Sequence, residues 1–472
     1  MRQTAGRKAE IPHVTHELAR FTVGIRYEDL PAAVRFMAHQ CLLDWLGVTI
    51  AGSREPLALM LKAEAAEEGG APRAMLFGGG GRTSMGQAAL VNGSAGHALD
   101  FDDVLGAMTG HATAPVAPAV LALAEGRGLD GRRVIAGMVA GIEVEARLGR
   151  VLGDSHYAKG WHATGTIGAF GAAAAAANML GLDAARTACA LGIAGTQAAG
   201  LKSMFGTMCK PLHAGKAARN GLMAATLAER GFTSRDDVLD CAQGFTDTQT
   251  ATFQPEALLE EPDRFHILDT LFKYHPACYG THATIEACLA IADNPAFDAG
   301  DVERVEVKVP AKALRMCNIA APQTGLEAKF SLAYNAGLGL TKKATGALDI
   351  YFDENLDQPD VHAIRDRVSV EGSGNMPKFA ADVVVHLGNG VALRGTGDVG
   401  TPARDLDRQW EKLQGKFRAL ATSLLGAEAA EALIKTVGNL DAAGDVGAAL
   451  GPAGAETSRG GLRGSGSAAY PR

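Results

Sequence analysis

The chain has 472 residues, 47% of them hydrophobic and 21% charged, with a formal net charge of −7. This is the composition of a globular protein too long for one ordinary core, so two domains are expected. The acidic balance argues against non-specific nucleic-acid binding and confines any useful positive charge to a local cluster.

The first residues, MRQTAGRKAEIPHVTHELARF, contain no apolar signal core. Asp29 precedes Pro31, a favourable helix entry, and Val34, Met37, Ala38, Cys41, Leu42, Trp45 and Leu46 then follow helical spacing. Further helices are predicted over 87–98, 114–125, 133–152, 164–180, 184–197 and 215–230, where Ala dominates and small residues permit close packing. The uncharged run 163–182 is mostly Gly and Ala with Asn178 inside, which suits an interior helix better than a membrane span. The seven cysteines are dispersed and never form C-x-x-C. That fits reduced thiols in a cytosolic protein and argues against a disulfide framework or a metal–thiolate site.

Near residue 270 the pattern changes. Val305, Val307 and Val309 alternate with Glu306 and Lys308 as in a half-buried strand. Strands 382–387 and 391–395 flank Asn389-Gly390, a hairpin signal, and 368–371 reads as another strand. Helices are predicted over 281–291 and 326–340, the latter opening with the capping-box pattern Thr324-x-x-Glu327. The expected layout is mainly α: a large helical domain (1–268), a smaller α+β lid (269–401), helices returning to the first domain (402–450), and a Gly/Ser-rich disordered tail (451–472).

Four segments carry possible chemistry. His97-Ala-Leu-Asp-Phe-Asp-Asp103 sets Asp100, Asp102 and Asp103 just after a helix, with His111 following in a Gly-rich turn. Carboxylates beside imidazole suit proton transfer, although Asp102 or Asp103 capping the next helix is an equal alternative. The spacing matches no metal motif. His162 precedes the Ala-rich helix, whose N-terminus favours a bound carboxylate, and His156 reads as a bystander. Gly206–Asn220 packs Lys210, His213, Lys216 and Arg219 together, with Lys210 placed just before a helix. Its ammonium could hold a carboxylate or stabilise an enolate-like anion, whereas Lys216 and Arg219 are more simply solvated. Lys273-Tyr-His-Pro-Ala-Cys-Tyr-Gly-Thr-His282 lies at the domain junction, and Tyr334 lies in the helix after Thr324, where a lone Tyr is usually core. No phosphate-binding loop or dinucleotide fingerprint is present, and Cys278 reads as a packing residue.

In this order HALDFDD, GHATAPVAPA, GWHATGTIGAFG, FGTMCKPLHAGKAARNG, KYHPACYGTH and KFSLAY resemble the MmgE/PrpD family, over roughly residues 12–440. That family includes 2-methylcitrate dehydratases, cis-aconitate decarboxylases and iminodisuccinate epimerases. The resemblance implies a homodimer that acts on a small polycarboxylate without metal or organic cofactor. It implies a helical domain built from both ends of the chain plus an α+β lid. Matched motif by motif, it implies a pocket holding Asp100, His111, His162, Lys210, His282 and Tyr334, with His213 beside Lys210. Decarboxylase-type members carry Thr directly after DFDD. This chain has Val104 there, and the lost hydroxyl counts against a decarboxylase; the expected function is a lyase similar to 2-methylcitrate dehydratase, with an epimerase or a decarboxylase of the cis-aconitate type as alternatives.

Overall fold

The structure is a computed structural model that describes residues 13–455. The rest of the expected tail lies outside the described residues. Its start is ordered: Gly451–Gly454 form a tight turn, Ala453 is buried, and the Gly78 N–H donates to the Ala453 carbonyl at 2.8 Å.

The first part is helical, in the order α1 (Val14–Gly24), α2 (Ala32–Gly52), α3 (Pro56–Glu68), α4 (Met85–Ala98), α5 (Thr113–Arg127), α6 (Gly131–Ala158), α7 (Ala163–Leu180), α8 (Ala184–Gly195), α9 (Cys209–Glu229) and the short α10 (Phe245–Gln249). A two-stranded ribbon, β1 (Ala74–Met75) with β2 (Arg82–Thr83), precedes α4. The entry to α2 differs from expectation. Pro31 is its N-cap, while Asp29 sits in a preceding turn and pairs with Arg26 at 2.6 Å. Nor is α2 amphipathic: from Met37 to Gly52 it is buried on every side, because α4 packs on one flank and the helix Leu406–Leu425 on another. Helix α6 is broken at Gly153, which takes the left-handed φ of 58°.

Helices α4, α5, α7 and α9 pack on one another. Glycine sets how closely. A Cβ at Gly215 would lie 2.2 Å from the Leu90 carbonyl oxygen, and one at Gly221 would lie 2.5 Å from the Ala172 methyl. These glycines bring α9 into backbone contact with α4 and α7, so the ends of all three helices meet.

The α+β domain holds α11 (Tyr279–Ala292) and a four-stranded sheet ordered β4-β3-β5-β6. Its strands are β3 (Val302–Pro310), β4 (Val368–Ser373, parallel to β3), β5 (Ala380–Leu387) and β6 (Ala392–Asp398), the last two antiparallel to their neighbours. Val305, Val307 and Val309 face its core with Ala283, Ala287 and Leu332. Gly390 turns the β5–β6 hairpin at φ 83°. The helix expected over 326–340 is two helices, Gly325–Ala328 and Leu332–Leu340. The Ser331 hydroxyl caps the second by accepting the Tyr334 N–H at 3.1 Å.

The helices Leu406–Leu425 and Ala427–Gly438 contribute Leu413, Phe417 and Leu433 to the same core as Leu42 and Trp45. Among the described residues, no helix is long and apolar enough to cross a membrane.

Candidate functional site

Helix ends build the site. His97 lies in the last turn of α4, and the chain then turns through Asp100, whose φ of 50° is left-handed. Asp tolerates that region better than most residues, at a cost of order 1–3 kcal/mol. Thr109, at φ 53°, closes the loop just before His111, and Thr113 opens α5. His162 is the N-cap of α7. Lys210 is the second residue of α9, inside the helix rather than before it, and His213 is one turn on.

Two lysines, Lys210 and the buried Lys273, hold the Asp100 turn. Lys210 Nζ donates to Asp100 Oδ1 at 2.8 Å, and Lys273 Nζ lies 3.3 Å from the same oxygen. Lys273 also donates to the Asp100 carbonyl at 2.6 Å. Lys416, from the helix Leu406–Leu425, donates to the Phe101 carbonyl at 2.7 Å and to Asp44 Oδ1 at 2.6 Å. Burial would raise the Asp100 pKa, but the two nearby ammoniums and His111 hold it well below the usual carboxylate range. Lys210 is opposed by burial yet held above its ordinary value by Asp100.

Asp102, rather than Asp100, orients the imidazoles. Its fully buried carboxylate meets His97 Nδ1 at 2.9 Å and His111 Nδ1 at 3.2 Å, the latter an ion contact rather than an aligned hydrogen bond. Burial pushes the Asp102 pKa up, but His111 and His97 outweigh it and keep the group ionised. With Nδ1 of His111 turned to the carboxylate, its Nε2 is free for proton transfer, 3.6 Å from Asp100 Oδ1. His97 meets His111 edge-to-face with ring centroids 4.5 Å apart. Burial, against the pull of Asp102, lowers its pKa to about 4. Asp103 takes the capping role: it accepts from the Thr113 N–H at 3.3 Å and from the Thr113 hydroxyl, and burial raises its pKa to about 7.

His162 and His213 face each other with Nδ1 atoms 3.1 Å apart, close enough for one ring to donate to the other. Burial and the neighbouring imidazole of His97 and ammonium of Lys210 hold His162 well below its ordinary pKa. Phe205 stands edge-on to His162 at 4.9 Å and under Lys210 at 5.3 Å.

Asp100, His111, His162, Lys210 and His213 therefore form one cluster, joined by His97, Asp102 and Lys273, which sequence reasoning did not select. His282 is the fourth residue of α11 and does not begin it. It is buried beside His275 (5.1 Å) and Tyr279 (4.9 Å), with Nε2 3.2 Å from the Ala277 carbonyl. Among the described residues Tyr334 makes no hydrogen bond or ring contact with this cluster. It is buried in an apolar group with Ala277, Leu338 and Ile350, its hydroxyl has no hydrogen-bond partner among the described residues, and its ring lies 6.3 Å from that of His362. Burial raises its pKa to about 12. Val104 is bridged to the domain junction: its N–H donates to the Leu271 carbonyl at 2.8 Å and its carbonyl accepts from the Leu271 N–H at 2.9 Å.

Donor atoms of His97, Asp100, Asp102 and His111 lie within 4.8 Å of one another, a spacing that a metal ion could bridge. The donors are already committed, however: Asp100 carries two ammoniums and Asp102 two imidazoles, which oppose a further cation. Two surface hollows lie away from this cluster. One, of about 310 Å³, is lined by Asp349, Glu354 and Asp357, and the other, of about 330 Å³, by Phe36, Trp410 and Arg418.

The chain matches two family models, the MmgE/PrpD N-terminal domain over residues 16–258 and the MmgE/PrpD C-terminal domain over residues 275–442. It is 30% identical over 378 residues to the human cis-aconitate decarboxylase, which covers 75% of this chain and 76% of that protein. It is 27% identical over 464 residues to the cis-aconitate decarboxylase-like protein oryM of Aspergillus oryzae, covering 92% and 96%. The cis-aconitate decarboxylase of Aspergillus terreus is 27% identical over 382 residues, covering 75% and 78%.

Proposed function

Because the chain belongs to the MmgE/PrpD family, we propose that it is a lyase that acts on a small polycarboxylate without metal or organic cofactor, by moving a proton at a carbon next to a carboxylate. The observation that supports this most is the pairing of an Asp102-backed imidazole, His111, with the ammoniums of Lys210 and Lys273 across one carboxylate. The ammoniums hold substrate carboxylates and stabilise the negative charge that develops when the proton leaves. His111 accepts that proton at Nε2. The proton taken by His111 is then returned, through the neighbouring His162–His213 pair, to the departing hydroxide, so that water leaves and a carbon–carbon double bond forms. Tyr334, sealed in another apolar group, is not needed as the acid.

Decarboxylation is the second reading, and the names of the relatives favour it. There the bond to a carboxylate breaks, carbon dioxide leaves, and an imidazole protonates the carbon that keeps the electron pair. Val104, which supplies no hydroxyl, favours dehydration. An NMR-monitored panel of 2-methylcitrate, citrate, cis-aconitate and an iminodisuccinate-type compound in D₂O separates these outcomes, since water loss, carbon dioxide loss and bare deuterium incorporation give different products. Lys210→Ala and His162→Ala should each abolish turnover with the fold intact. Wild-type turnover in either variant refutes the assignment.

A further inference from the structure

We propose that Lys329, in the break between the helices Gly325–Ala328 and Leu332–Leu340, binds a further carboxylate of the substrate from the α+β side. This rests on the reading of the cluster as a polycarboxylate site.

The placement follows from the broken helix. Had 326–340 run as one helix, residue 329 would sit in its middle. Instead the chain turns there, and the Lys329 carbonyl accepts the Cys278 N–H at 3.0 Å. Cys278 is the N-cap of α11 and closes the junction segment that begins at Lys273. Lys329 thus lies beside the strap that grips Asp100.

Its ammonium is uncommitted. The side chain is half-buried, and the Tyr351 ring lies 5.9 Å from Nζ. Among the described residues no carboxylate comes within 4.0 Å of Nζ, unlike Lys210, Lys273 and Lys416. Burial lowers its pKa. Glu55 and Asp100 act on it from beyond ion-pair distance to raise it, and Lys273 opposes them. Lys329 therefore shares the electrostatic surroundings of Asp100 and Lys273.

Lys329 has no carboxylate within ion-pair distance among the described residues, and Glu55 and Asp100 act on it only from farther off. A part-buried cation without a counter-ion is costly, and an incoming carboxylate relieves that cost. Lys210 and Lys273 reach Asp100 from the helical domain and the junction, while Lys329 approaches from the α+β domain. A substrate with several carboxylates would span them, and Lys329 would select the acid that carries the further carboxylate.

Calorimetric titration with propane-1,2,3-tricarboxylate and with glutarate tests this without turnover. Lys329→Met should weaken the tricarboxylate by about 10- to 100-fold and leave glutarate unchanged, whereas Lys329→Arg should keep most of the affinity. The melting temperature of each variant checks that it is folded. Unchanged tricarboxylate binding by folded Lys329→Met overturns the role of Lys329 alone, as does an equal loss for both acids. If the wild-type chain binds neither acid, the polycarboxylate reading of the cluster falls, and this inference with it.

Discussion

Lys416→Met removes an ammonium that is enclosed between Asp44 and the Phe101 carbonyl, with side-chain exposures of 4% for Lys416 and 1% for Asp44. In the intact pair, burial outweighs Lys416 and raises the Asp44 pKa from 3.8 to about 6. Each pKa unit is worth about 1.36 kcal/mol, so keeping Asp44 ionised in the folded chain already costs roughly 3 kcal/mol at neutral pH. Without Lys416 the carboxyl stays protonated in the folded state through pH 7, and the cost rises to roughly 4 kcal/mol. The orphaned Phe101 carbonyl adds about 1–3 kcal/mol. The variant should thus lose roughly 2–4 kcal/mol at pH 7. The sign fixes the pH dependence. A carboxyl with a raised folded pKa loses stability as pH rises above its unfolded value. In the wild type that loss ends near pH 6, and in the variant it continues beyond. The gap between the two should therefore be smallest at pH 5 and widest at pH 8. Adding Asp44→Asn to Lys416→Met should remove the pH dependence and restore much of the loss. Thermal denaturation of the three proteins at pH 5, 7 and 8 measures this. A gap that does not change with pH, or a double variant as unstable as the single, refutes the reasoning.

Two further outcomes follow from the buried imidazoles. Asp102→Asn replaces the anion facing His97 and His111 with a group that can donate, which inverts the tautomer of His111 and places a hydrogen on Nε2. Turnover of whichever acid the panel identifies should fall about 10²–10⁴-fold at unchanged melting temperature, and a fall under threefold rules out Asp102 as the orienting group. His156 is held neutral between the Thr166 hydroxyl (2.7 Å) and the Gln249 carbonyl (3.1 Å), and burial lowers its pKa to about 4. A base with a depressed folded pKa contributes full stability above its unfolded value and loses it as pH falls from about 6.5 towards 4. His156→Gln should flatten part of that acid slope in melting temperature, and an unaltered slope counts against the assignment.

Periodicity and turn chemistry made the helices, the β5–β6 hairpin and the change of character near residue 270 readable from the chain. The ends of helices were less readable, because tertiary contacts set them. Lys210 entered α9 since Gly215 and Gly221 pin that helix, and 326–340 broke where Cys278 pairs with Lys329. At the site, the motifs carrying Asp100, His111, His162 and Lys210 were visible as clusters of unlike titratable groups. The division of labour between Asp100 and Asp102 was not, because it depends on the left-handed turn at Asp100. His97 had a local signal that was passed over: an imidazole in the last turn of a helix, five residues before an acid, can fold back onto it. Lys416 had none, since its partner Phe101 lies 315 residues earlier. Tyr334 matched a motif, yet its side chain turns into apolar company.

The grip of Lys416 on Phe101 also bears on synthesis. A chain still emerging from the ribosome will have made every imidazole of the cluster long before the helix Leu406–Leu425 appears. Until that helix docks on α2, the backbone around Phe101 lacks its anchor, so nascent or prematurely terminated chains should hold the reactive groups without the geometry that makes them useful.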